Sequence, residues 1–152
     1  MVRPILETAN TVWAPSSLAE IRALEQVQRR ATRLVGSLQG LSYPERLQKL
    51  KLPSLSYRRK RGDMIEVYKR LNNVYDDQFP WLIPHQNDKG LRTNGLKLVK
   101  ERKTNTLKRK MFSVRVVNDW TNLPPHVVGA PTLNSFKNRL DRHWAHLQYE
   151  VL

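Results

Sequence analysis

The densest chemistry in this chain is cationic. Between Lys89 and Arg115 stand Lys89, Arg92, Lys97, Lys100, Arg102, Lys103, Lys108, Arg109, Lys110 and Arg115, with one acid, Glu101, among them. Lysine and arginine carried on a loop can follow a phosphate backbone, and each phosphate they neutralise releases condensed counterions and adds salt dependence rather than base choice. The segment is therefore a candidate phosphate track; the alternative reading is a solvated loop without a ligand. Two further basic groups accompany it. The tetrad Arg58, Arg59, Lys60, Arg61 has the size of a nuclear-import cluster, yet on a helix its members point in four successive directions and cannot all face one groove. Arg29, Arg30 and Arg33 stand at helical spacings that bring Arg29 and Arg30 to the side of Arg33, and there the alternative is an ordinary solvated helix face.

Other chemistry is thinly supplied. Cysteine is absent, which removes disulfides, thiolate metal sites and a cysteine nucleophile. Asp76-Asp77 follows Tyr75 directly, without the intervening residue, flanking strands or upstream third carboxylate of a two-metal polymerase hairpin, so it reads as a polar turn. His143 and His146 are three apart on one helix but lack a third ligand, and His85 and His126 fall in loops. Neither a nucleophile elbow nor a phosphate-cradling glycine loop is present, so no catalytic residue, metal site or cofactor is expected. Of the four tryptophans, Trp120 and Trp144 continue apolar helical stripes and belong to a core; Trp13 and Trp81 stay open between packing and base stacking.

The elements that must position these groups are helical. Ser17-Leu-Ala-Glu20 has the form of a capping box and is followed by Leu18, Ile21, Leu24, Val27, Ala31 and Leu34 at helical spacing, which predicts a helix over 17–35 with that stripe inward and Arg22, Arg29, Arg30 and Arg33 outward. A second box, Ser42-Tyr-Pro-Glu45, opens a short helix to about Leu50. A third, long helix starts near Ser54 and ends at Asn72-Asn73. Between 85 and 106 the periodicity disappears, leaving a basic loop with room for one small β-hairpin. Helical spacing returns at Leu107, Met111, Val114, Val117 and Trp120, breaks at Leu123-Pro124-Pro125, and resumes after Thr132 as Leu133, Phe136, Leu140 and Trp144. The expected fold is mainly α, about five helices. Its expected organisation is an N-terminal lobe over 1–84, the basic loop at 85–106 and a helical pair over 107–152, together forming one compact unit.

With 27 Lys and Arg against 13 Asp and Glu, the formal charge is +14, so the surface repels itself unless a polyanion is near. Nucleic acid leads the partner classes. No apolar stretch is long enough to cross a bilayer and the first residues lack a secretory pattern, so no membrane partner is expected and an intracellular, preferentially nuclear, location is.

Glu25-Gln-Val-Gln-Arg-Arg-Ala31, Leu41-Ser-Tyr-Pro-Glu-Arg-Leu47, Tyr57-Arg-Arg-Lys-Arg-Gly-Asp-Met64 and Asn118-Asp-Trp-Thr-Asn-Leu-Pro124 stand in an order that resembles the thumb and post-thumb tail of reverse transcriptases from jockey-like non-LTR (LINE-type) retrotransposons. The resemblance covers nearly the whole chain and lies after that family's catalytic palm. It implies a non-catalytic remnant that grips template and primer backbone as RNA, DNA or hybrid, alone or beside an intact element's polymerase. A structural or protein-interaction role, or an expressed fragment without selected activity, is the alternative. The two differ in what they expose: a binding module lays arginines on one face, whereas a fragment shows bare leucines and tryptophans, first of all in 1–15.

Overall fold

The computed structural model describes residues 12–15, 17–75, 82, 97–99 and 111–151. It is mainly helical: α1 (Leu18–Arg33), a 3-10 turn (Gly36–Leu38), α2 (Tyr43–Lys49), α3 (Leu55–Leu71), α4 (Phe112–Thr121), α5 (Pro125–Val128), α6 (Leu133–His143) and a second 3-10 turn (Ala145–Leu147). Among the described residues there is no strand. Leu98 alone has a bridge-type pairing, and the rest of the segment proposed for a hairpin lies outside the described residues.

Local signals set most helix ends. Ser17 Oγ accepts from the Glu20 amide at 3.2 Å while Glu20 Oε2 accepts from the Ser17 amide at 3.2 Å, so two donors that a helix start would leave orphaned are satisfied reciprocally. The same box recurs at α2, where the Ser42 amide donates to Glu45 Oε2 at 2.6 Å. The Ser42 hydroxyl first, and then its amide, hold the exposed Glu45 carboxyl below its usual range. Past α3, Asn73 takes φ +52°, a left-handed conformation that asparagine tolerates and that stops the helix. The break at Leu123-Pro124-Pro125 proves to be more than a turn: Pro125 starts the single-turn helix α5, where its missing amide costs nothing. Gly129 ends α5, and a Cβ there would meet the Pro125 carbonyl at 3.0 Å.

The chain divides into two compact units, Met1–Arg61 with Trp144–Leu152, and Gly62–His143. One division between them falls within α3, between Arg61 and Gly62. The chain end joins the first unit because the Ser54 amide donates to the Gln148 carbonyl at 2.9 Å. Leu38, Tyr43, Leu47, Leu55 and Trp144 are buried apolar members of that unit. In the second unit Tyr68 stacks on Phe136, ring centroids 4.4 Å apart, and donates its hydroxyl to the Ala130 carbonyl at 2.6 Å. Trp120, Val116, Val127 and Leu140 are buried in it as well. Trp120 and Trp144 accordingly have the core role expected of them.

Candidate nucleic-acid interface

The first unit places its arginines through an arrangement of α1 that the apolar pattern does not suggest. At about 100° per residue, α1 has three sectors roughly 120° apart. One, made of Ile21, Glu25, Gln28 and Thr32, faces the protein. A second carries Arg22, Gln26, Arg29, Arg30 and Arg33. The third carries Ala23, Leu24, Val27 and Ala31 and continues to Leu34.

The inward sector is polar. Glu25, Gln28 and Thr32 are buried, at 7%, 6% and 3% exposure, whereas Val27 is 39% and Leu34 88% exposed. The expected inward stripe of Leu18, Ile21, Leu24, Val27, Ala31 and Leu34 is therefore corrected: of that set, Ile21 turns inward and the others lie at the edge or in solvent. Hydrogen bonds hold this face. Glu25 Oε1 accepts from the Tyr43 hydroxyl at 2.6 Å, and Glu25 Oε2 accepts from the Leu55 amide at 3.0 Å, serving the first residue of α3. Gln28 Nε2 donates to the Pro53 carbonyl at 3.1 Å. Arg46 Nε donates to Thr32 Oγ1 at 3.2 Å and its Nη1 to the Leu41 carbonyl at 2.6 Å, which occupies a cation that sequence alone leaves free. Burial, reinforced by the Glu25 carboxylate, pushes the Tyr43 phenol far above its ordinary range, so it remains a donor to Glu25 at any ordinary pH.

With that sector fixed, Arg22, Arg30 and Arg33 are exposed and Arg29 half-buried, its guanidinium 5.0 Å from the centre of the Tyr43 ring. Among the described residues none of the four forms an ion pair. From Arg22 to Arg33 the helix rises about 16 Å, the axial length of roughly five nucleotides of one strand. A cavity of about 120 Å³ lies on this side, lined by Arg22, Glu25, Gln26, Arg29 and Val151. Arg29, Arg30 and Arg33 were expected on one face and lie there. Arg22 was expected on the same outward face without being named as a contact, and Gln26 was not assigned to it, although positions 22, 26, 29 and 33 are spaced by alternating steps of four and three that mark one side of a helix.

The other candidates differ. Arg58, Arg59, Lys60 and Arg61 point in successive directions, with Arg59 buried at 8% exposure and Lys60 exposed, and each already engages another group. The Arg59 guanidinium sits 5.8 Å from the centre of the Trp13 ring, whose residue is 51% exposed. In the second unit Arg115 forms a two-pronged bond with Asp63, Nε to Oδ2 at 3.0 Å and Nη2 to Oδ1 at 2.8 Å. It also covers the Phe112 ring at 5.2 Å. Arg115 and Arg59 are thus committed to structural contacts, which long-range partners impose and local charge density does not reveal. Lys97 is half-buried. Lys100, Arg102, Lys103, Lys108, Arg109 and Lys110 lie outside the described residues, as do Asp76, Asp77, His85 and Trp81.

Among the described residues no three His, Asp or Glu side chains gather to hold a metal ion, and no helix is long and apolar enough to cross a membrane. Compared with family models, with curated proteins and with solved structures, the chain matches none.

Proposed function

We propose that this chain is a non-catalytic nucleic-acid-binding module that holds phosphate backbone with little preference for sequence, and that α1 is its contact helix. The observation that carries this reading is the arginine sector: Arg22, Arg29, Arg30 and Arg33 share one side of a helix whose opposite contacts fix its rotation, and no acid among the described residues is paired with them. Guanidinium groups held in this way can meet phosphates without first breaking ion pairs, and a planar fork suits phosphate oxygens better than an ammonium does. Arg22 and Arg29 line a common cavity of about 120 Å³ together with Glu25, Gln26 and Val151. The +14 charge supplies long-range attraction to any polyanion. In this proposal the order of motifs that resembles a retrotransposon reverse-transcriptase tail has the meaning of a thumb-like grip separated from its palm, acting on RNA, DNA or a hybrid, alone or beside an intact element's polymerase.

The test is fluorescence anisotropy of labelled single-stranded RNA, duplex DNA and RNA–DNA hybrid at several salt concentrations, with the native chain and with Arg22→Gln/Arg29→Gln/Arg30→Gln/Arg33→Gln. Removing four phosphate contacts shallows the slope of log affinity against log salt by about 3 on a single strand. Affinity should fall alike for every sequence tried. An unchanged slope and affinity would move the phosphate contacts away from α1.

A further inference from the structure

We propose that the third sector of α1, formed by Ala23, Leu24, Val27, Ala31 and Leu34, is a docking surface for an amphipathic helix of a protein partner that carries acidic residues beside its apolar ones. This inference does not rest on nucleic-acid binding, since it concerns a different side of the helix.

The starting observation is an inversion. Buried surface on α1 is polar, and beside the exposed arginine sector one exposed sector is apolar: Val27 is 39% exposed and Leu34 88%, Ala23 and Ala31 are exposed, and Leu24 is half-buried. Rotating α1 to hide this sector would strand Glu25, Gln28 and Thr32, whose partners Tyr43, Leu55, Pro53 and Arg46 are set 14 to 30 residues away along the chain. The orientation is therefore specified, and the apolar sector is left outward by it. Leu18 at 56% exposure does not belong to the sector; it sits at the helix start on another side.

Shape favours a helix as the occupant. Ala23, Val27 and Ala31 form one row at spacing four, low in relief, with Leu24 on one side and Leu34 on the other, which is the groove that a side-chain ridge of a second helix fills. The sector is about 16 Å long, two or three helical turns. It contains no aromatic residue and no cation, so it offers a nucleotide base neither a stacking face nor a charge, and it lacks the Trp or Phe with which interfacial helices enter lipid.

Charge selects the kind of helix. Arg30 and then Arg33 border the sector on its solvent side, so a partner whose flanking positions are acidic is attracted and a basic one is repelled. A second copy of this chain brings another +14 and, in an antiparallel two-fold pairing, sets the same arginine border against itself.

The probe is a labelled 21-residue helical peptide with leucine at heptad positions a and d and glutamate at e and g, titrated with the full chain. Val27→Ser/Leu34→Ser should weaken its binding at least tenfold while leaving RNA affinity within twofold and the thermal midpoint unchanged. A peptide of equal charge with serine for leucine should bind at least tenfold more weakly, and Arg30→Glu should prefer a peptide with lysine at e and g. Equal binding of the leucine and serine peptides, or no effect of Val27→Ser/Leu34→Ser, would overturn the proposal by reducing the contact to charge alone. Two further results would overturn it: binding to phosphatidylserine vesicles that the double variant abolishes, which assigns the sector to lipid, and sedimentation of the native chain as a dimer that the same variant dissociates, which assigns it to a second copy. Loss of RNA affinity in Arg22→Gln/Arg29→Gln, at two positions away from the apolar sector's border, with peptide binding by Leu34 and Val27 intact, keeps the two readings separate.

Discussion

Replacing Glu25 with alanine removes one carboxylate and strands two donors. The Leu55 amide, on a residue at 0% exposure, and the Tyr43 hydroxyl, on a residue at 4%, both donate to Glu25 and have no other acceptor shown for them. At about 1–3 kcal/mol for each buried donor left unmade, Glu25→Ala should cost about 4 kcal/mol, and alanine's better helix propensity returns only a few tenths. Glu25→Gln keeps a carbonyl for the Leu55 amide and can donate to the Tyr43 oxygen, so it should cost about 1 kcal/mol. Val27→Ser, one turn away and in solvent, should cost less than about 0.5 kcal/mol. The three are ranked by urea unfolding at pH 7, and hydrogen exchange of the Leu55 amide supplies a local readout that should accelerate in Glu25→Ala and little in Val27→Ser. For a chain of this length the gap between the first and last variants is about 10 °C in thermal midpoint. An apolar stripe packed inward predicts the reverse order. If Val27→Ser proves as costly as Glu25→Ala, the sector assignment of α1 is wrong, and the arginine face and the docking surface fall with it.

Two further outcomes follow from the same contacts. Asp63→Asn leaves Arg115 without its two-pronged partner, at side-chain exposures of 18% and 11%, and should destabilise the chain by about 2 kcal/mol in denaturant unfolding; Arg115→Gln should do likewise while leaving RNA affinity unchanged, because that guanidinium is already occupied. The Tyr43 phenol is raised above its unfolded value of about 10, first by burial and then by Glu25, so its proton stabilises the fold below that pH and the contribution is lost as pH rises above it. Urea midpoints of the native chain and Tyr43→Phe should therefore differ by a constant amount up to about pH 9 and draw together progressively as pH rises beyond about 10, whereas a difference that stays constant through about pH 11 would show that Tyr43 is not held as a protonated donor.

What could be read from the residues in order was whatever a few neighbours decide. Ser17 with Glu20 and Ser42 with Glu45 close their boxes across three residues, so the starts of α1 and α2 were legible, and so was the stop at Asn73. Trp120, Phe136, Leu140 and Trp144 are apolar positions in periodic runs, and all are buried. The rotation of α1 was not legible, because periodicity reports that a helix has an apolar side and says nothing of which side a fold will use. Tyr43, Pro53 and Leu55 make that choice from a distance of 18 to 30 residues, through donors and acceptors that Glu25 and Gln28 alone can match. Arg115 is the same case at longer range: its charge counted toward a phosphate track until Asp63, 52 residues earlier, claimed it.

The three-sector helix also changes what the charge of the chain means. Cationic residues whose partners are built into the fold, such as Arg46 and Arg115, contribute to the +14 total without being offered to a ligand. Those of α1 are offered, because the side of the helix that could have supplied acids to neutralise them spends its only buried carboxylate, Glu25, on Tyr43 and Leu55. Placing polar groups inward thus has two consequences at once: it leaves Arg22, Arg29, Arg30 and Arg33 unpaired among the described residues, and it turns Val27 and Leu34 to solvent. A helix that only packed would have needed neither. Both outward sectors follow from one buried seam, so a perturbation that loosens the seam, such as Glu25→Ala, should weaken RNA and peptide binding together, while changes confined to either outward sector should separate them.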